Sequence, residues 1–443
     1  MQRAITINNT IKEFNKKIEV DGDKSLSIRF ALLASQAIGK SRAFNILRSE
    51  DLLSTLKILR KLGIKIFLKK NYCEIIGQGI NGFNYKKNLT LNAENSGTLG
   101  RCILGTLVRS PNKIKLIGDK SLSRRDFSRV IDPLKEFGAT FYPKNKYTLP
   151  LWIKGTNFVR PINYFEKKGS AQIKSCIMLA SLNAPGTTKI NAKKSRNHTE
   201  ILYKFLKLPI TVTKRKKIDL IEINGEKKIY PFNYSIPSDI SSSAFFIVLT
   251  LLSKKSHLVI KNVNINSSRT GCISILNRMG ANIIFKNKKK YNGEKTADIH
   301  IRSKNSFKAI NCPTKYNTSA IDEFLVIFLV AAKAKGISYF KDLEELNQKE
   351  SPRLKVGSKI LNMIGIKTKL TNSSIAIYGN PNLELTKSFE IKDYLKDHRV
   401  MALSTIAALT LGGKRWRIHN SDSINTSFPS FFKILKSLGA KIN

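Results

Sequence analysis

Six short stretches of this chain combine residue types that can grip an anion at the start of a helix. They are Gly22-Asp23-Lys24-Ser25-Leu26-Ser27-Ile28-Arg29; Asn95-Ser96-Gly97-Thr98 with Arg101; Ser170-Ala171-Gln172 with Lys174; Ser241-Ser242-Ser243; Asp322-Glu323; and Asp397-His398-Arg399. The free N–H groups of a first helical turn and the positive end of the helix dipole favour negative charge, and small residues let a ligand come close. Taken singly, each stretch is an ordinary N-cap, Arg124-Arg125 is a solvated basic pair, and His398 is a structural histidine. Together they form a set. Cations accompany four of the stretches, and carboxylates stand in the last two, where proton transfer could be supplied. If two lobes face each other, such helix starts would surround an anionic substrate.

The elements that position these residues repeat. Leu62-Gly63-Ile64, Phe137-Gly138-Ala139, Met279-Gly280-Ala281, Ile364-Gly365-Ile366 and Leu438-Gly439-Ala440 recur at intervals of roughly 75 to 85 residues or twice that. The third copy, near Leu206, lacks the glycine. Leu26, Phe30, Leu33 and Ala37, and then Leu52, Leu56 and Leu59, recur at helical spacing and predict helices with one apolar face. Gly63 suits a left-handed stop, and Ile64-Lys65-Ile66-Phe67-Leu68 reads as a strand. Each copy is therefore strand, helix, strand, helix, strand, strand. A chain of 443 residues exceeds the usual size of one core, so the expected fold is α/β with two similar lobes of three copies each.

Composition narrows the partners. There are 78 Lys plus Arg against 31 Asp plus Glu, a formal net charge of +47. Such an excess can mark nucleic-acid binding, but here the lysines are scattered among Asn and Ile, and the longest cationic runs are Lys214 to Lys217 and Lys288 to Lys290. A generally basic surface is expected, with no dedicated nucleic-acid site. Cysteines 73, 102, 176, 272 and 312 show no CxxC spacing, against a disulfide framework or a zinc site. A reducing cytoplasm is expected. The longest mainly apolar runs, Ala244 to Leu252 and Phe324 to Ala332, fall far short of the roughly 20 residues that cross a bilayer. No membrane partner is expected, and the first twenty residues lack the apolar core of a signal peptide.

The ordered motifs GDKSLSIR at 22 to 29, LRSEDLLSTL at 47 to 56, NSGT at 95 to 98, GDKSLSRR at 118 to 125, SAQIKS at 170 to 175, DISSSAFF at 239 to 246, RTG at 269 to 271, IDE at 321 to 323, KESPR at 349 to 353, DHR at 397 to 399 and SFP at 427 to 429 resemble the 5-enolpyruvylshikimate-3-phosphate synthase family. The resemblance runs from about Gly22 to the C-terminus. SAQIKS and Ser195-Arg196-Asn197-His198-Thr199-Glu200 are similar to the bacterial branch with SAQVKS and SRDHTE. It implies two lobes of three α/β copies with mixed four-stranded sheets. Residues 1–21 and 241–443 would form a discontinuous C-terminal lobe carrying the base and part of the phosphoenolpyruvate site. Residues 22–240 would form an N-terminal lobe for shikimate 3-phosphate, with crossings near Asp21 and Ile240.

The implied reaction transfers the enolpyruvyl group of phosphoenolpyruvate to the 5-hydroxyl of shikimate 3-phosphate by addition and elimination. It belongs to chorismate biosynthesis and uses no metal or organic cofactor. The resemblance assigns Ser25, Arg29, Ser170, Gln172 and Lys349 to shikimate 3-phosphate, with Ser195 and Arg196 near its phosphate. Lys24, Gly97, Arg125, Arg353 and Arg399 match the phosphoenolpyruvate contacts, with Gln172 shared. Asp322 matches the base for the 5-hydroxyl, and Glu350 and Lys24 are the candidates for proton transfer at the methylene carbon. Glyphosate competes with phosphoenolpyruvate in this family, so inhibition is expected too. A monomer is expected.

Four positions depart from the pattern: Asp126 stands for a proline, Pro352 for the Asp of KESDR, Thr426 for a phosphate-contacting lysine of other branches, and Asn197 for an Asp. They bear on affinity, and Asp126 would weaken Arg125 if it faced inward. Two other readings exist. The sister transferase acting on UDP-N-acetylglucosamine opens on Lys-Asn and carries a loop cysteine, whereas here the pair is Lys24-Ser25 and the Arg124-Arg125 loop has none. A basic nucleic-acid-binding protein is suggested by charge alone.

Overall fold

The computed structural model describes residues 3–70 and 72–443. The chain forms two compact lobes. One takes in Gly22–Ile236 with Lys290–Glu294; the other takes in the chain up to Asp21, then Pro237–Lys289 and Lys295–Asn443. Each lobe has its own hydrophobic core.

In the Gly22–Ile236 lobe three mixed four-stranded sheets follow one plan: an outer strand lies parallel to its neighbour, and the next two pairings are antiparallel. The first copy enters on the helix Lys24–Ser35, so its leading strand comes from the far end of the lobe, Asn233–Ser235, paired with Ile38–Phe44. In the other lobe the N-terminal segment fills two gaps, one of this leading, parallel kind and one antiparallel. Asn15–Ile18 leads the fourth copy beside His257–Asn264, and Ile5–Ile7 pairs antiparallel with Arg415–Ile418 in the sixth. Among the described residues the sixth sheet counts three strands where four are expected. Thr6 and Asn443 exchange backbone hydrogen bonds of 2.7 and 3.1 Å on its open side.

The first helix of each copy departs from the expected amphipathic pattern. Lys24–Ser35, Ile240–Leu252, Phe324–Ala332 and His398–Leu411 are buried almost all round, and Ala37 lies beyond its helix, which is capped at Gln36. A helix enclosed by other helices and sheets has no wet face, and small residues let it come close: a side-chain carbon on Gly105 would run into the Cys176 carbonyl. The second helices keep the single apolar face, as in Glu50–Lys61 with Leu52, Leu56 and Leu59 buried.

Every second helix stops the same way. Gly63, Gly138, Gly280, Gly365 and Gly439 have φ between +84° and +109°. At Gly63 the following Ile64 N–H returns to the Leu59 carbonyl at 3.0 Å, a left-handed stop that glycine adopts without steric cost. In the third copy Lys207 takes this place at φ +55°.

Candidate active site

In the Gly22–Ile236 lobe the first helices are capped as their sequences require. Asp23 accepts from Leu26 N at 2.9 Å, Ser96 from Leu99 N at 3.3 Å and Ser170 from Ile173 N at 3.5 Å. Lys24 and Ser25 stand in the first turn of one helix, Gly97 in the next, and Gln172 in the third. Gln172 bridges the two latter helices: its Nε2 donates to Thr98 Oγ1 at 3.0 Å and its Oε1 accepts from Arg101 Nη1 at 2.9 Å.

Two clusters of cations result. Lys24 Nζ pairs with Asp51 Oδ2 at 2.9 Å. Arg29, one turn on, donates to Thr199 Oγ1 (2.8 Å), the Ser25 carbonyl (3.0 Å) and Ser175 Oγ (2.8 Å). None of these acceptors is a carboxylate, and burial lowers the Arg29 pKa. At Gly97 the crowding is greater. A side-chain carbon there would run into Arg125 Nη1 and stand 3.0 Å from Arg101 Nη1. Burial, with repulsion from Arg125 and Arg129, brings the Arg101 guanidinium down to about 10. Such crowding is relieved by an anion. Ser195 and Arg196 lie just before Asn197, the cap residue of the helix His198–Phe205, and are partly buried.

In the other lobe Asp397 caps His398–Leu411 through Arg399 N at 3.0 Å. It also accepts from Arg353 Nε at 2.8 Å and from Ser351 Oγ at 2.9 Å. Arg353 is 1% exposed and gathers three carboxylates: Asp397, Glu350 through Nη2, and Asp322 through Nη1 at 3.3 Å. Burial works against its charge, but Asp397, Glu350 and Asp322 more than offset that and raise its pKa. Asp322 Oδ1 is also 3.3 Å from Lys349 Nζ, and the Asp322 carbonyl accepts from Arg399 Nη1 at 2.7 Å. Thus Asp322, Lys349, Glu350, Arg353 and Arg399 come together. Two helix starts differ from the sequence reading: Glu323 occupies the cap of Phe324–Ala332 without a side-chain cap bond, and Asp239 rather than the serine run caps Ile240–Leu252.

Three of the four departures from the motif have local explanations. The Asp126 carboxylate is exposed and takes Ser128 N at 2.8 Å and Ser128 Oγ at 2.7 Å, so it closes a turn before the next helix. Pro352 stands at the cap of Arg353–Met363, where a missing N–H costs little. Thr426 donates to the Ser423 carbonyl at 2.8 Å within its own turn. Sequence reasoning missed the partners. Asp51 lies in a motif that carried no role, Lys174 pairs with buried Glu200 at 2.6 Å, and Arg269 joins Asp239 and Ser241. A buried charge needs a partner, but spacing does not say which.

The model of the EPSP synthase (3-phosphoshikimate 1-carboxyvinyltransferase) family matches residues 8–435. A 3-phosphoshikimate 1-carboxyvinyltransferase of Ruthia magnifica subsp. Calyptogena magnifica is 39% identical over 428 residues, 96% of each chain. That of Streptococcus pyogenes serotype M1 is 36% identical over 423 residues, 95% of this chain and 96% of the relative. The EPSP synthase of Acinetobacter baumannii superposes with a TM-score of 0.86 at 33% identity, covering 100% of this chain and 99% of that one. The enolpyruvyl transferase NikO from Streptomyces tendae, at 14% identity, 100% and 98% coverage and a TM-score of 0.78, shares the fold. The fold is that of the enolpyruvyl transferases. The chain belongs to the EPSP synthase family, enzymes that carry the enolpyruvyl group of phosphoenolpyruvate to shikimate 3-phosphate in chorismate biosynthesis.

Proposed function

We propose that the residues assembled in the two lobes divide this reaction between them. Ser25, Arg29, Ser170, Gln172, Ser195, Arg196 and Lys349 hold shikimate 3-phosphate. Lys24, Gly97, Arg125, Arg353, Arg399 and the shared Gln172 hold phosphoenolpyruvate, whose carboxylate and phosphate suit the flat guanidinium fork.

Asp322 takes the proton of the 5-hydroxyl as its oxygen bonds to the central carbon of phosphoenolpyruvate, and a proton added to the methylene carbon makes it a methyl. Elimination then breaks the carbon–oxygen bond to phosphate and removes a proton from that methyl, restoring the double bond. Glu350 and Lys24 are the groups for these carbon proton transfers. One observation carries the reading: the Asp322 carboxylate oxygen stands 3.3 Å from both Lys349 Nζ and Arg353 Nη1, an acceptor fixed among cations that suit two anionic substrates.

The chain works as a monomer in the cytoplasm, a setting that fits five free, buried thiols. Among the described residues no helix is long and apolar enough to cross a membrane. The test is phosphate release from phosphoenolpyruvate with shikimate 3-phosphate or UDP-N-acetylglucosamine as acceptor. Release only with shikimate 3-phosphate, without added metal, is expected; turnover with the UDP-sugar alone overturns the reading.

A further inference from the structure

The helix His198–Phe205 begins with three buried polar residues, His198, Thr199 and Glu200. Together they are tied to three parts of the same lobe. His198 Nδ1 is 2.6 Å from Glu294 Oε1, Thr199 Oγ1 is 2.8 Å from Arg29 Nε and 2.7 Å from Ser175 Oγ, and Glu200 Oε1 is 2.6 Å from Lys174 Nζ. Glu294 belongs to the short segment Lys290–Glu294 that clusters with this lobe, although 96 residues separate it from His198. Its side chain is fully enclosed and that of His198 is 1% exposed. Around it the segment packs closely: a carbon on Gly293 would press on the Ile201 side chain, and Tyr291 accepts from Ser235 Oγ at 3.4 Å.

Buried polar pairs contribute little net stability compared with apolar packing, but they fix geometry, because any other arrangement leaves a desolvated group unsatisfied. Three such ties on one helical turn immediately follow Ser195 and Arg196. Two of them, through Thr199 and Glu200, lead to the helices that carry Arg29 and Gln172. The third runs to Glu294. We propose that Glu294 is a positioning residue for shikimate 3-phosphate, acting through His198 to aim Ser195 and Arg196 at the substrate phosphate. This rests on the assignment of Ser195 and Arg196 to that substrate.

The test uses the full chain and measures direct binding of shikimate 3-phosphate, the KM of each substrate, kcat and the melting temperature. Glu294→Ala removes the tie and Glu294→Gln keeps its shape and a hydrogen bond. We expect Glu294→Ala to weaken shikimate 3-phosphate binding about 10- to 100-fold, the upper end being the scale of a contact misplaced by about 1 Å, and Glu294→Gln to restore most of it. The KM for phosphoenolpyruvate at saturating shikimate 3-phosphate should move much less. The loss should vanish in an Arg196→Ala background, since there is then no arginine to aim. Unchanged binding by Glu294→Ala, whatever its melting temperature, overturns the proposal, as does an equal loss with and without Arg196. If Glu294→Ala fails to fold, Glu294→Gln and His198→Gln decide it: at least one must weaken shikimate 3-phosphate binding more than phosphoenolpyruvate binding. A parent protein that neither binds nor turns over shikimate 3-phosphate would instead sink the underlying assignment.

Discussion

Arg353 grips Asp397 through two donors, Nε to Oδ2 at 2.8 Å and Nη2 to Oδ1 at 3.2 Å. The side chain proposed to meet phosphoenolpyruvate is thereby oriented by the residue that caps the next copy's helix. Lysine has one point of charge and no fork, so Arg353→Lys should leave Asp397 poorly paired in a buried place. Breaking such a pair costs about 3–5 kcal/mol. Calorimetry of the variant should show that loss, and initial-rate kinetics a raised KM for phosphoenolpyruvate.

The same pair should set an acid limit. Burial works to raise the Asp397 pKa, yet Arg353 more than offsets it and holds the carboxyl below its usual range. A depressed folded-state value means stability that is complete above the unfolded pKa of about 4 and is lost as pH falls through the lower folded value. Melting temperatures taken from about pH 6 down to about pH 2 should fall less steeply for Asp397→Asn than for the parent, from a lower starting point. Parallel curves would mean the pair does not govern the acid limb.

Asp322→Asn keeps the shape of the side chain and removes the base. The turnover rate should drop about 100- to 10,000-fold, the worth of a positioned general base, with shikimate 3-phosphate binding changed much less. Rapid-quench kinetics beside a binding titration separates the two. Nearly normal turnover would leave Asp322 as a partner of Lys349 and Arg353 only.

At Gly97 a methyl must displace the end of Arg125. The arginine is flexible, so the protein should fold, but its guanidinium moves from its place beside the helix start. The KM for phosphoenolpyruvate should rise in Gly97→Ala. Glyphosate, longer than phosphoenolpyruvate, should lose more, by about 5- to 150-fold for a clash of about 1–3 kcal/mol. An inhibitor-to-substrate ratio unchanged by the methyl would refute this.

Lys207 tests the repeat itself. It is exposed and holds at φ +55° a place that glycine holds in the other five copies. Left-handed backbone costs a side-chain-bearing residue about 1–2 kcal/mol, against a smaller entropic cost for glycine. Lys207→Gly should therefore raise stability by about 0.5–1 kcal/mol, read from denaturant midpoints, with activity unchanged.

The sequence by itself determined the repeat, most of the caps and five of the six helix stops, because each depends on residues within one or two turns of one another. Asp23, Ser96, Ser170 and Asp397 cap as their residue types require, and Gly63 ends its helix where only glycine is free to turn. Only the tertiary structure decided the partners. Lys24 finds Asp51 across one copy, Arg29 finds Thr199 from 170 positions away, and His198 finds Glu294 from 96. It also decided that the first helices have no wet face and that Lys207 stands in for a glycine. A cap or a stop is local and leaves a mark in spacing. The partner of a buried charge is fixed by which distant elements pack together, and that choice leaves no period along the chain.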